Sequence, residues 1–338
     1  MRGLIFAALG LLLLVSAASA TGDGNVIVAT SEQESIGTCI TGANLFQATV
    51  LDANLLGCDN FVNQDMSVTA NCNSLVGMSD LFGTGEGGVI ADDEEGCVGE
   101  GCDNDTDVGE EIFMGMNFMQ GGQMTFNATG NDNCGLQNID LDASDNCQTI
   151  GNFSQMAIQT GTAIGCDNEI FQDTDAYVFD NSFTMSNVRQ ASLLEACTVG
   201  NENDLDQYAD QNIFDSCLTE SSFAQEALLN ENVWGCDNNN NQYSCQLLDD
   251  SCFTGSSGRQ AVSMDQQILG NEGCVDQYAK TIIDDSSFTL GTAVQSISER
   301  FADVGCGNRV DQDASVLIDD NSIVGGNMVQ QTTINTNA

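Results

Sequence analysis

A chain of 338 residues carries 6 Lys and Arg against 50 Asp and Glu, a formal net charge of −44, with 15 Cys and neither His nor Pro. That charge excludes a phosphate-backbone partner, which needs a basic footprint, and it disfavours docking on anionic lipid heads. The missing His removes the usual general base and the commonest zinc ligand, and the missing Pro fits backbone hydrogen bonding that runs uninterrupted along the chain.

Residues 1–20 read as a secretory signal, with Arg2 as the charged start, Leu4 to Val15 as the apolar run and Ala18-Ser19-Ala20 as a small-residue cleavage site. The run is shorter than the ~20 residues that a span needs. No later run is long enough, so no membrane span is expected and the product is expected outside the cell or on its surface. Residues 21–338 then form one repeat domain. All the cysteines follow the signal, and export makes disulfides their default state. Their odd number leaves at least one thiol free or joined to another chain. Asn104, Asn127 and Asn152 open acceptor triplets for glycosylation.

Self-similarity organises the rest. Gly130, Gly165, Gly200, Gly235, Gly270 and Gly305 are spaced by 35; a Gln follows each after seven residues (Gln137 to Gln312), an Asp after fifteen and a second Gln after twenty-five (Gln155 to Gln330). The register extends back to Gly57 and Gly22, and the stretch from about 96 to 129 fits after a small insertion, with Gly96, Phe113 and Gln120 near their places. Nine units are therefore expected, starting near 22, 57, 96, 130, 165, 200, 235, 270 and 305. A 70-residue superperiod lies on top: Cys166, Cys236 and Cys306 recur at that distance, as do Arg189 and Arg259, and each Arg is expected to pair with a local acid. The tiling runs on to residue 338 without a polar cap, where soluble solenoids normally carry one.

Each unit reads as three or four short strands. Tyr177-Val178-Phe179 and Thr281-Ile282-Ile283 are apolar runs ending in Asp-Asn-Ser or Asp-Asp-Ser turn clusters, and a second run such as Ser287-Phe288-Thr289-Leu290 follows. The expected class is all-β, a β-solenoid or an array of stacked β-arches. A β-propeller is the alternative, although 35 residues fall short of the ~40–45 usual for a blade. Stacking puts identical side chains about 4.8 Å apart. Gln suits that spacing, since its amide donates and accepts along a ladder, whereas stacked carboxylates repel. Asp145, Asp180, Asp215, Asp250, Asp285 and Asp320 are thus expected at a turn, either accepting backbone N–H bonds or holding a structural Ca²⁺.

The cysteines fall into lanes near the repeat Gly and near the Asp turn. Cys134–Cys166, Cys197–Cys236 and Cys274–Cys306 are the expected bonds between neighbouring units, a connectivity that sequence alone does not fix. Acidic pairs such as Asp284-Asp285 resemble glycosidase carboxylates, but their recurrence argues against one active site, and no enzyme is expected.

An export signal, Asn/Asp/Gln-rich repeats that tile the chain, many cysteines and uncapped ends together resemble the sheath and surface-layer proteins of methanogenic archaea, and also repeat-built functional amyloid subunits with Gln and Asn at fixed positions. That resemblance implies a secreted structural protein whose partner is itself, a homopolymer joined through terminal strands, locked by disulfides and hydrated by its acidic face, with other cell-surface components as further partners. The alternative is an extracellular adhesin or a cation- or ice-binding β-solenoid, for which Thr41, Thr149, Thr184, Thr219, Thr254 and Thr289 supply a file of hydroxyls.

Overall fold

Burial alternates residue by residue along the chain. In Cys134–Ser144 the side chains of Gln137, Ile139, Leu141 and Ala143 are buried and those between them are partly exposed, the two-residue period of a strand with one face on a core. The computed structural model describes residues 10–36, 39–41, 45–71, 74–76, 78–79, 113–114 and 116–337. Among them there is no helix, and apart from a two-residue antiparallel pair at Met78–Ser79 every strand pairing is parallel.

Successive turns stack in register. One sheet has eight strands, one per turn, from Val26–Ile36 to Arg309–Ile318. A second sheet opposes it with longer strands from Gly10–Thr21 to Asn327–Asn337, flanked by three-residue strands such as Cys217–Thr219 and Cys252–Thr254. The core lies between the two, where Val62, Ile170 and Leu205 of the first sheet pack with Phe126, Ala196 and Val233 of the second. The fold is a β-solenoid of about eight turns, not a propeller, because each strand bonds to its equivalent one turn away. A turn holds two long strands and one short one, as in Asn239–Asp249, Cys252–Thr254 and Ser257–Leu269, where three or four short strands are expected from sequence.

The Gly spacing has a steric cause. Gly200 has φ +148°, and a Cβ there would lie 1.7 Å from the carbonyl oxygen of Gly165 in the turn before. Its N–H donates to the Trp234 carbonyl of the turn after, at 2.8 Å. Backbone stacks on backbone at this corner, and only Gly leaves room.

The unit count needs correction. Gln172 donates to Gln137 over a separation of 35 residues, but Gln137 donates to Gln64 over 73. Gly57 to Gly130 therefore encloses one turn with 38 additional residues (73 − 35), not two turns. Gln120 pairs with both Gln47 and Gln155, so its strand completes the second turn. The expected start near 96, with Gly96, Cys97, Cys102 and Asn104, lies outside the described residues.

The segment read as a secretory signal contributes Gly10–Thr21, which pairs with Leu45–Leu56 along twelve positions. No described helix is long and apolar enough to cross a membrane.

Candidate functional site

Polar ladders run through the interior. Gln190 Nε2 donates to Gln155 Oε1 at 3.0 Å and to the Ala176 carbonyl of the opposite sheet at 2.8 Å. Gln225, Gln260, Gln295 and Gln330 repeat the in-lane bond at 2.8–3.2 Å. The other Gln lane does the same from Gln137 to Gln312. An Asn ladder marks the Gly corner, where the backbone N–H of Asn168 donates to Asn203 Oδ1 at 3.0 Å and that of Asn203 to Asn238 Oδ1 at 2.9 Å. Most of the buried amides in these lanes are thus satisfied turn by turn, as burial of polar groups requires; Gln47 and the Nε2 of Gln64 are exceptions. Every ladder has a direction. The Gln side chains from Gln155 to Gln330 donate toward the N-terminal end, and the corner Asn backbone N–H groups from Asn25 to Asn203 donate toward the C-terminal end.

The six turn aspartates, Asp145, Asp180, Asp215, Asp250, Asp285 and Asp320, share one corner lane, all with φ between +42° and +54°. The expected capping belongs mainly to the residue after them. Asn146 N–H donates to Asn181 Oδ1 at 2.8 Å, and Ser216 N–H to Ser251 Oγ at 3.2 Å. Asp284 and Asp319, just before two of the six, accept a local backbone N–H, from Asp285 and Asp320. Asp249, Asp250 and Asp285 bring carboxylate oxygens within 4.8 Å of one another, a geometry that a hard cation such as Ca²⁺ suits. Burial, and then Asp284 and Asp250, push the Asp285 carboxyl above its ordinary value.

Carboxylates also stack on the flat outer face, against the expectation that repulsion forbids it. Asp140, Asp175 and Asp210 are direct partners in three successive turns. Partial burial, and then Asp173, push Asp175 up to about 6; burial, and then Asp175, push Asp210 up to about 6. Two residues away Tyr208, Tyr243 and Tyr278 stack with ring centroids 6.0 and 5.1 Å apart.

The expected disulfide pairs do not share lanes. Cys166 lies between Asn131 and Asn201, whereas Cys134 pairs with Phe61 and Glu169, Cys197 with Thr162 and Asn232, and Cys274 with Asn239 and Arg309. Cys134, Cys166, Cys197, Cys236, Cys274 and Cys306 are free thiols. Lane partners must differ by one full turn, and 32 or 39 residues is the wrong interval. Cys217 and Cys252 are direct partners, and burial followed by Cys252 raises the Cys217 thiol.

Arg189 and Arg259 converge on Glu226 in the turn between them, at 2.8 and 3.7 Å, which accounts for their recurrence at two turns. The Thr file is continuous in register from Thr149 to Thr289, while Thr41 stands opposite Val76. Asn127 and Asn152 lie in strands and bond within their lanes, to Asn54 and Asn187.

At both ends the sheets stop with open edges. Val26–Ile36, Arg309–Ile318 and Asn327–Asn337 each pair on one side only among the described residues, and Val26, Val28, Val324 and Val329 are more than half exposed. Gln47, the lane Gln twenty-five residues after Gly22, is 1% exposed with neither amide atom hydrogen-bonded, which its place in the repeat does not reveal. Comparison of the chain with protein-family profiles, with curated proteins and with solved structures finds no match.

Proposed function

We propose that this chain is a secreted structural protein that stacks end to end into an extracellular sheath, surface layer or fibre. The observation that carries this reading is the pair of open ends. All turns share one parallel register, and the strands of the first and last turns keep a free edge among the described residues. In a parallel stack the two ends are unlike and complementary, so their contact is heterologous and does not close into a dimer. Unpaired edges are templates for another chain. In this reading the acidic lanes hydrate the assembly and gather cations, calcium among them, and oxidation of neighbouring thiols strengthens it. Electron microscopy and fibre diffraction test the reading. Filaments with a meridional reflection near ~4.8 Å are expected of the chain freed of residues 1–20, and a folded chain of that kind that stays monomeric at high concentration overturns it.

A second reading rests on the Thr file. Thr219, Thr254 and Thr289 are exposed and repeat at strand spacing, which suits a periodic ligand such as ice or a glycan. A monomer that binds either one, with the loss of binding in Thr254→Leu, would favour it.

A further inference from the structure

The register compares the two ends of the solenoid directly. Gln330 heads a lane that runs through Gln295, Gln260, Gln225, Gln190, Gln155, Gln120 and Gln47 to Leu12. Gly10–Thr21 therefore holds, on Leu45–Leu56, the place that Asn327–Asn337 of a second copy would take if the stack continued. The two occupants differ in the residue they bring to the Gln lane. Gly10–Thr21 sets Leu12 opposite Gln47, and leucine has no hydrogen-bonding side chain. A second copy would bring Gln330.

The polarity of the ladder matches that substitution. In this lane each Gln from Gln155 to Gln330 donates to the Oε1 of the turn before it. Gln47 stands at the donating end of the lane with its Nε2 buried and unpartnered. Gln330 stands at the other end, where its Oε1 is the acceptor for a following turn. The Asn ladder has the complementary sense. The N–H of Gly273 donates to Asn308 Oδ1 at 2.7 Å, and in a continued stack the N–H of Asn308 meets Asn25 Oδ1 of the next copy. On the opposing sheet the same register sets Val310 beside Ile27, two residues that already pack on one core cluster.

We propose that Leu45–Leu56 is the docking strand for Asn327–Asn337 of a second copy, with Gln47 bonded to Gln330, and that Gly10–Thr21 occupies this site and blocks stacking until it leaves. The inference rests on the assembly reading above and names its interface. A strand of the same chain holds the place of an incoming one, a form of strand addition. If residues 1–20 are the export signal, their removal uncovers the edge.

The test compares the full chain with the full chain carrying Leu13→Pro and Ala17→Pro, which denies the first strand its ladder. A chain starting at Thr21 is a second route to the same release, and circular dichroism checks that each retains its β-structure. Sedimentation and microscopy are expected to find the full chain monomeric and both released chains filamentous. Adding Gln330→Leu to a released chain should raise the concentration needed for assembly about tenfold, the effect of one lost buried hydrogen bond. Equal assembly by full and released chains overturns this inference and leaves the assembly reading standing. Folded released chains that never assemble overturn the assembly reading itself. Released chains indifferent to Gln330→Leu show that they join through another surface.

Discussion

Gln190 Nε2 bonds at once to Gln155 Oε1 at 3.0 Å and to the backbone carbonyl of Ala176 at 2.8 Å, so one buried amide ties two turns together and two sheets to each other. The side chain points into the core, where no water competes, and it bridges elements that hydrophobic contact alone would leave free to slip by a residue.

Replacing it removes both functions. Gln190→Leu leaves the buried Gln155 Oε1 without its donor, an orphaned group costing about 1–3 kcal/mol, and removes the side-chain link to the Ala176 carbonyl. Hydrogen exchange followed by mass spectrometry should show faster exchange in Cys147–Ile164 and Ser182–Val199, with the terminal turns unchanged. Local exchange is the right observable, because long repeat arrays need not unfold in one step.

Stacked acids give the solenoid a pH dependence opposite to that of a protein held by ion pairs. Asp175 and Asp210, each raised to about 6, hold their protons more tightly folded than unfolded. Stability therefore falls as pH rises from the ordinary aspartate range through the folded value, and it is regained on acidification. The thermal midpoint should be higher at about pH 5 than at about pH 7.5. Asp175→Asn with Asp210→Asn should raise the midpoint at the higher pH and flatten the slope. An unchanged slope would mean that these two carboxyls are solvated.

Legibility in the sequence followed the lanes. Gly200, Gln190 and Asp180 each recur at one turn, and each has a steric or hydrogen-bonding reason to do so, so period and stacking were readable. The interval from Gly57 to Gly130 misled because 73 residues is close to two turns, and Gln120 really does belong to a Gln lane, as an end of the second turn and not as part of a third. The cysteine pairs misled in the same way, since 166 − 134 = 32 is near one turn and is still three lanes away. Asp140, Asp175 and Asp210 do differ by one turn each, but Glu32, Ser67, Cys245, Lys280 and Ser315 occupy the rest of their lane and hide it. Gln47 is legible as a lane Gln by its offset of twenty-five from Gly22, but its lack of a partner appears only when the first strand is placed.

The same arithmetic predicts which thiols join. Cys217 and Cys252 are both exposed and direct partners on adjacent parallel strands, where a Cα separation of about 5 Å lies inside the range a disulfide accepts. Cys166 and Cys236 share a lane with Asn201 between them, which sets them nearly 10 Å apart, past the ~7 Å limit. Mild oxidation followed by cleavage at acidic residues and mass spectrometry should recover Cys217 linked to Cys252 first. Recovery of Cys134 linked to Cys166 instead would require a different stacking register.

Among the described residues, Glu299 is the one carboxylate that sits fully inside with both oxygens unpartnered. Its lane neighbours are Met264 and Ile334, so a charged residue stands where the pattern calls for an apolar one. Burial, and then the charge of Asp313, push its carboxyl up to about 7. The folded value lies above the unfolded one, so the group weakens the last two turns above neutrality and ceases to do so once protonated. Glu299→Met should stabilise these turns by about 1–3 kcal/mol at about pH 8, with little gain at about pH 5. Exchange rates in Thr292–Val304 and Asn327–Asn337, measured at both pH values, provide the comparison. A gain of the same size at both would show that the effect is shape alone, and that the carboxyl is already neutral when the solenoid is built.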